Sequence, residues 1–147
     1  MGMRSDTVNR RQDIYRDAIA VMVRDYAQDL TVDGVARTIG TSRRQLQRVF
    51  DECGDVSFRQ ALTRIRMHNA SRLLRETTTP VALVARQVGY SQPAQFAKTF
   101  RRLYGEVPSV YRTAPPLAAA APTPLGAARR LRPPVGSPVS AVAAPTR

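Results

Sequence analysis

Apolar residues recur at steps of three and four along most of residues 12–113 of this chain. That spacing places them on one face of an α-helix. The stripes are interrupted at Gly40, Gly54, Gly89 and Gly105, and glycine commonly ends helices because it tolerates a positive φ. The two-residue alternation typical of strands is not found in the sequence. We therefore predict an all-α fold.

The N-terminal part of the chain is predicted to hold three helices. Residues 1–11 are expected to be flexible, and a packing helix follows over about residues 12–28. Two shorter helices lie within residues 31–54, separated by Gly40, and Ser42 is the expected N-cap of the second. The second of them carries an apolar stripe that we expect to be buried, composed of Leu46, Val49, Phe50 and Cys53.

One long helix over residues 57–76 joins this part of the chain to the next. A second pair of helices is predicted within residues 80–105. Pro80 suits the first helical position, where its missing N–H is not needed. Either Ser91 or Gln92 is expected to cap the second helix of this pair.

The two helix pairs repeat each other in sequence. Residues 32–42 align with residues 81–91, and after a one-residue insertion residues 46–50 align with residues 96–100. A short helix, a turn with glycine and a second helix form the helix-turn-helix pattern. A joining helix of about 20 residues spans roughly 30 Å, close to the ~34 Å between successive major-groove faces of B-DNA. One chain is thus predicted to present two recognition helices to adjacent major grooves.

The charge balance favours a polyanionic partner. The chain has 23 Lys and Arg against 11 Asp and Glu, a formal net charge of +12. Nucleic acid is the commonest such partner. A membrane surface would also attract it, but no apolar run approaches the ~18 residues that spanning requires. We predict double-stranded DNA as the partner and no membrane insertion.

Residue types that support catalysis or metal binding are scarce. His68 is the only histidine and lies mid-helix, where we expect it to be exposed or at an interface. Cys53 is the only cysteine, so neither an internal disulfide nor a cysteine-rich zinc site can form. We predict a protein that is not an enzyme and that binds no cofactor or metal.

The composition changes after Thr113. Residues 114–147 hold eight of the eleven prolines and ten alanines, with no acidic residue. We predict a disordered tail, because proline breaks helices and sheets and large apolar side chains are scarce. Its basic cluster of Arg129, Arg130 and Arg132 is either a phosphate-binding arm or part of a low-complexity extension. The N-terminus lacks an apolar export segment, so we expect a cytoplasmic protein, and the predicted DNA partner implies association with the nucleoid.

The second helix pair resembles the AraC/XylS family of transcription regulators. The resemblance rests on Val-Ala-Arg-Gln-Val-Gly-Tyr at residues 84–90, on Phe96, on Phe-Arg-Arg at residues 100–102 and on Gly-Glu-Val-Pro-Ser-Val-Tyr-Arg at residues 105–112. It covers about residues 12–113 and leaves the tail unexplained. It implies a seven-helix domain with two helix-turn-helix subdomains, of a kind that usually activates promoters.

The second helix of the first pair carries three candidate base readers. Arg44, Gln47 and Arg48 lie opposite the apolar stripe, at positions where the family reads bases. Arginine suits guanine and glutamine suits adenine in the major groove. Arg43 is better placed for phosphate. The alternative is a solvated charged face without a dedicated role.

The second helix of the second pair carries a less polar candidate surface for DNA binding. Its predicted base readers are Gln95 and Lys98, with Arg101 and Arg102 as phosphate ligands. Amides at both helix starts, around Ser42 and Ser91, are also expected to bind phosphate. Pro93 and Ala94 offer only apolar contacts, so the sequence predicts weaker reading of the second half-site.

Together these features predict a sequence-specific activator that binds an asymmetric promoter site as a monomer and contacts RNA polymerase. No small-molecule domain is visible. The chain is either a small stand-alone regulator or the DNA-binding part of a larger ligand-sensing one. The competing hypothesis is a non-specific architectural DNA-binding protein driven by the arginine surplus.

Overall fold

The computed structural model describes residues 3–114, with side chains from residue 6 onward; in this part the chain forms seven helices and no strand. The all-α fold with two helix-turn-helix units is confirmed. The predicted tail falls, from residue 115 onward, outside the described residues. The helices are α1 (Met3–Asp25), α2 (Val32–Thr38), α3 (Arg43–Cys53), α4 (Phe58–Glu76), α5 (Val81–Gln87), α6 (Pro93–Tyr104) and α7 (Pro108–Thr113).

Capping side chains fix where the central helices begin. The Ser42 hydroxyl accepts a hydrogen bond from the Gln45 amide at 3.2 Å. Ser57 and Gln60 form a capping box: Ser57 Oγ accepts from the Gln60 amide, and Gln60 Oε1 accepts from the Ser57 amide at 2.9 Å. Pro80 takes the N-cap of α5 rather than the predicted first helical position, since its ψ of 143° is still extended.

The first helix is where the structure departs most from the sequence prediction. α1 occupies residues 3–25, whereas the sequence predicts a flexible segment over 1–11 and a helix over 12–28. The apolar stripe marks only the packed part of the helix. Once that part is fixed, each further residue gains a backbone hydrogen bond at low entropic cost. Arg11 also forms an ion pair of 2.8 Å with Glu52 of α3, which ties the extension to the first unit.

The fold contains two hydrophobic cores, and α4 passes through both. The first core joins α1, α2 and α3 to the N-terminal half of α4; we call this the first unit. The second joins α5, α6 and α7 to the C-terminal half, the second unit. From α4, the first core receives Phe58, Ala61, Leu62 and Ile65, and the second receives Met67, Ala70 and Leu74.

The last helix closes the second core. The Tyr111 ring meets Phe100 edge-on, with 5.1 Å between centroids. Arg112 donates to the Leu74 carbonyl at 3.2 Å, at the C-terminal end of α4 where carbonyls lack helical partners. Arg75 lies 4.4 Å above the Tyr111 ring in a cation–π contact. The Tyr-Arg ending of the sequence motif is therefore structural: it anchors α7 to the end of α4.

Cys53 is exposed, and the prediction that it is a buried core residue is wrong. Its spacing continues the stripe of Leu46, Val49 and Phe50, all three of which are buried. However, α3 ends at Cys53, so the side chain lies beyond the edge of the core. Helical periodicity gives the direction of a side chain and not how far the covering helices extend.

Candidate nucleic-acid interface

The exposed face of α3 brings the three predicted base readers of the first unit together. Arg44, Gln47 and Arg48 are all exposed. At 3.6 residues per turn they share an arc of about 100°. Leu46 and Phe50, on the other side, are fully buried, so the orientation of this face is fixed by the core. The face is polar, basic and wide enough to meet base edges as a unit.

The residues predicted to bind phosphate at the start of α3 already have partners within the protein. Arg43 forms a 3.2 Å ion pair with Asp33 of α2, and both side chains are more than half exposed. An exposed pair of this kind contributes little stability, so the guanidinium can exchange the carboxylate for a phosphate. The Ser42 hydroxyl caps the Gln45 amide, which leaves fewer free donors at this helix start.

The exposed face of α6 collects the four predicted ligands of the second unit. Gln95, Lys98, Arg101 and Arg102 are all exposed and share an arc of about 120°. The buried side of α6 consists of Phe96 and Phe100. α6 thus has one buried and one exposed face, as α3 does, but its arginines lie in the last turn, whereas α3 has two arginines in its first turn.

The start of α6 differs from that of α3. Gln92 holds the N-cap position, Ser91 precedes it, and neither side chain caps the helix. Pro93 occupies the first turn and brings no N–H. The amides of Ala94 and Gln95 thus lack a side-chain acceptor, and such unpaired donors at a helix start favour anions.

An open groove of about 1390 Å³ separates α6 from the first unit. Two of its cationic side chains, Arg59 and Arg66, come from α4, which the sequence analysis treated only as a spacer. Cations from both α4 and α6 concentrate positive potential in this groove. The cationic side chains that line the groove are Arg59, Arg66, Lys98, Arg101 and Arg102.

Arg66 connects the two units directly. Its Nε donates to the Tyr26 carbonyl at 2.8 Å and its Nη2 to the Gln28 carbonyl at 2.7 Å, both after α1 in the first unit. Its guanidinium carbon lies 5.8 Å from the centre of the Tyr90 ring, in the turn of the second unit. Burial lowers the pKa of the Arg66 guanidinium, which nevertheless stays charged at neutral pH. Arg66 thus links the segment after α1 to the turn that precedes α6.

Neither the histidine nor the cysteine of this chain lies in a buried site. His68 is exposed on α4. Partial burial and the neighbouring Glu52 carboxylate raise the pKa of the Cys53 thiol, which disfavours the reactive thiolate. Within residues 3–114 no group of side chains is arranged to hold a metal ion, and no helix of this part is long and apolar enough to cross a bilayer.

Comparison with known proteins identifies the family. A model described as a helix-turn-helix domain matches residues 35–114, which include α3 to α7. The regulatory protein SoxS of Escherichia coli K12 is 33% identical over 101 residues, covering 69% of this chain and 94% of that protein. The chain belongs to the AraC/XylS family. Members of this family are DNA-binding transcription regulators.

Other relatives share the same domain within longer chains. The lactose operon transcription activator of Staphylococcus xylosus is 36% identical over 107 residues, covering 73% of this chain. The match spans only 37% of that activator's own length. The DNA-binding domain of AdpA, solved in complex with a target DNA, superposes with a TM-score of 0.63 at 28% identity, over 67% of this chain and 88% of that one. These AraC/XylS relatives are regulators of transcription.

Proposed function

We propose that this AraC/XylS chain is a sequence-specific transcription activator that inserts α3 and α6 into successive major grooves of one DNA duplex. It binds an asymmetric promoter site as a monomer and contacts RNA polymerase there. Arg44, Gln47 and Arg48 read bases in one half-site, and Gln95 and Lys98 read bases in the other. The DNA complex of the related AdpA domain supports duplex DNA as the partner.

The observation that carries this proposal is the placement of two exposed recognition faces on one rigid frame. α4 has 19 residues and spans about 28 Å at 1.5 Å per residue. It is anchored in both cores, and its own Arg66 donates hydrogen bonds to the two carbonyls after α1. A single chain then supplies the separation that a helix-turn-helix dimer normally supplies.

Selection of bound fragments from random DNA tests the proposal. We expect one enriched sequence with two dissimilar half-sites, bound at one protein per duplex. The selected duplex then competes against random DNA at about 150 mM salt, where phosphate-driven binding is weakened. A ratio near one between the affinities for the selected duplex and for random DNA would support the architectural alternative and reject sequence-specific regulation. Transcription from a promoter that contains the selected site distinguishes activation from repression.

Arg48→Ala should relax base preference at one position of the selected site. Loss of a bidentate contact with guanine removes roughly 1–3 kcal/mol of discrimination at that base pair. The measurement is the affinity for duplexes carrying each of the four base pairs at every position. Arg102→Ala is the matched control: it should weaken binding to all of these duplexes alike and reduce the salt dependence. An unchanged preference profile for Arg48→Ala removes this residue from the base readers.

The second half-site should be read less strictly than the first. Pro93 and Ala94 are exposed at the start of α6 and offer only apolar contacts, for example with a thymine methyl group. The corresponding turn of α3 presents Arg43 and Arg44. Single base-pair substitutions should therefore cost more affinity in the half-site under α3. Equal costs in the two half-sites contradict the prediction.

A further inference from the structure

A second groove, of about 340 Å³, lies between the N-terminal part of α1 and the recognition helix α3. One wall carries Arg10 and Arg11 from the helix extension that the sequence analysis did not predict. The other carries Arg44 and Arg48. The groove lies outside the cleft between the units, and its α1 wall precedes the residues that the family model matches.

The charges of this groove are poorly compensated within the protein. Arg11 is neutralised by Glu52 at 2.8 Å, and this pair holds α1 against α3. Arg10, Arg44 and Arg48 are exposed, and none of them forms an ion pair with a carboxylate in the described part of the chain. Three guanidinium groups without a carboxylate partner on two adjoining helices raise the positive potential along this groove, which favours a polyanion.

The groove lies at the edge of the surface that is proposed to face DNA. Arg44 and Arg48 both line it and belong to the base-reading face of α3. A recognition helix in the major groove, about 12 Å wide, has a sugar-phosphate strand on either side. With α3 in that position, one of the two strands passes along the α1 wall.

We propose that Arg10 binds a backbone phosphate of this strand, so that α1 adds a contact beside the first half-site. The inference rests on the proposed DNA binding and extends the contact surface to α1. The ligand is the phosphodiester backbone of duplex DNA. An acidic protein segment is the competing occupant, and the test below separates the two.

The experiment compares the full chain with two single variants of α1. Arg10→Ala removes the proposed contact. Arg16→Ala is the matched control, since it removes the same charge from the same helix at a side chain that is 76% exposed and does not line this groove. Alanine has the highest helix propensity, so both variants should keep α1 helical, which far-ultraviolet circular dichroism checks.

Affinities for the selected duplex are measured over a range of salt concentrations. For Arg10→Ala the slope of log Kd against log salt should fall by about 0.9, the value for one phosphate contact. The slope for Arg16→Ala should equal that of the unmodified chain. A second series replaces single phosphates beside the first half-site by uncharged methylphosphonates. One such duplex should bind the unmodified chain more weakly than the natural duplex does. Arg10→Ala should bind this duplex and the natural one with equal affinity.

Equal salt slopes for the two variants overturn the proposal. It is also overturned if no single methylphosphonate weakens DNA binding by the unmodified chain without weakening that by Arg10→Ala. Weaker binding of an acidic peptide by Arg10→Ala, with an unchanged DNA slope, also overturns it and assigns the groove to protein. Failure of the proposed function gives a different result: the unmodified chain shows no sequence preference, while the slope difference on random DNA still reports the Arg10 contact.

Discussion

Arg66→Ala should lower the free energy of unfolding by about 2–3 kcal/mol, because two charge-assisted hydrogen bonds to backbone carbonyls are lost. The Tyr26 and Gln28 carbonyls, which accept them, lie in the first unit, while the cation–π contact reaches Tyr90 in the second. The relative arrangement of the recognition helices should then loosen. Affinity for a duplex with both half-sites should fall about tenfold, the equivalent of 1.4 kcal/mol, while binding to a single half-site changes little.

Arg72→Ala is the matched control for this experiment. Arg72 lies on the same helix and forms an exposed ion pair of 3.4 Å with Glu76 one turn later. Loss of such a pair should change stability by less than about 0.5 kcal/mol. Chemical denaturation gives the stabilities, and titration of duplexes with one or two half-sites gives the affinities. If Arg66→Ala loses equal affinity for both kinds of duplex, the residue does not couple the units.

Gly89→Ala should destabilise the chain considerably more than Gly40→Ala, although the two glycines occupy equivalent positions of the repeat. Both have a left-handed backbone, with φ of 89° and 71°. Alanine in that region costs about 1–2 kcal/mol. Around Gly40 a Cβ would meet nothing within 4 Å. At Gly89 it would lie 3.0 Å from the Arg66 guanidinium, which would have to shift and so strain its hydrogen bonds to the two carbonyls. We expect a cost of about 2–4 kcal/mol at Gly89, because overpacking against Arg66 adds to the backbone strain.

A double-mutant cycle isolates the contribution of Arg66 to this difference. In an Arg66→Ala background the Gly89→Ala substitution should cost no more than Gly40→Ala, since only backbone strain remains. Thermal and denaturant unfolding of the four variants in the cycle supplies the coupling energy. A coupling energy near zero contradicts the proposed steric conflict, whatever the cost of each single substitution.

The helices of both repeats could be predicted from sequence because their signals are local. An apolar stripe and a glycine at the end lie within about a dozen residues of one another, and α3 also begins at its predicted serine N-cap. The long helix predicted over 57–76 appears as α4. The same stripes define which face of α3 and of α6 is exposed. The candidate ligands of the two faces are exposed in the structure, while their roles in binding DNA stay a prediction.

The remaining features depend on contacts between distant parts of the chain. Arg66 meets carbonyls about 40 residues earlier in sequence, and a carbonyl acceptor leaves no mark in a residue pattern. The early start of α1 is stabilised by Arg11 and Glu52, again far apart in sequence. Cys53 shows the opposite error. Its local spacing predicts burial, but the side chain is exposed because the core has ended at this point of α3. The groove between α1 and α3 could not be predicted either, because its α1 wall belongs to that early part of the helix.

The passage of α4 through both cores has a consequence for how the protein can be divided. A chain cut between the units would leave half of the apolar stripe of α4 facing water, either at Phe58, Leu62 and Ile65 or at Met67 and Leu74. Each half on its own is thus an incomplete folding unit with a surface prone to aggregation. The repeat in the sequence suggests two independent modules, yet the helix shared by both cores leads us to expect a single cooperative unfolding transition. Recombination that exchanges a recognition helix between such regulators would therefore have to preserve the whole of α4 together with both hydrophobic cores.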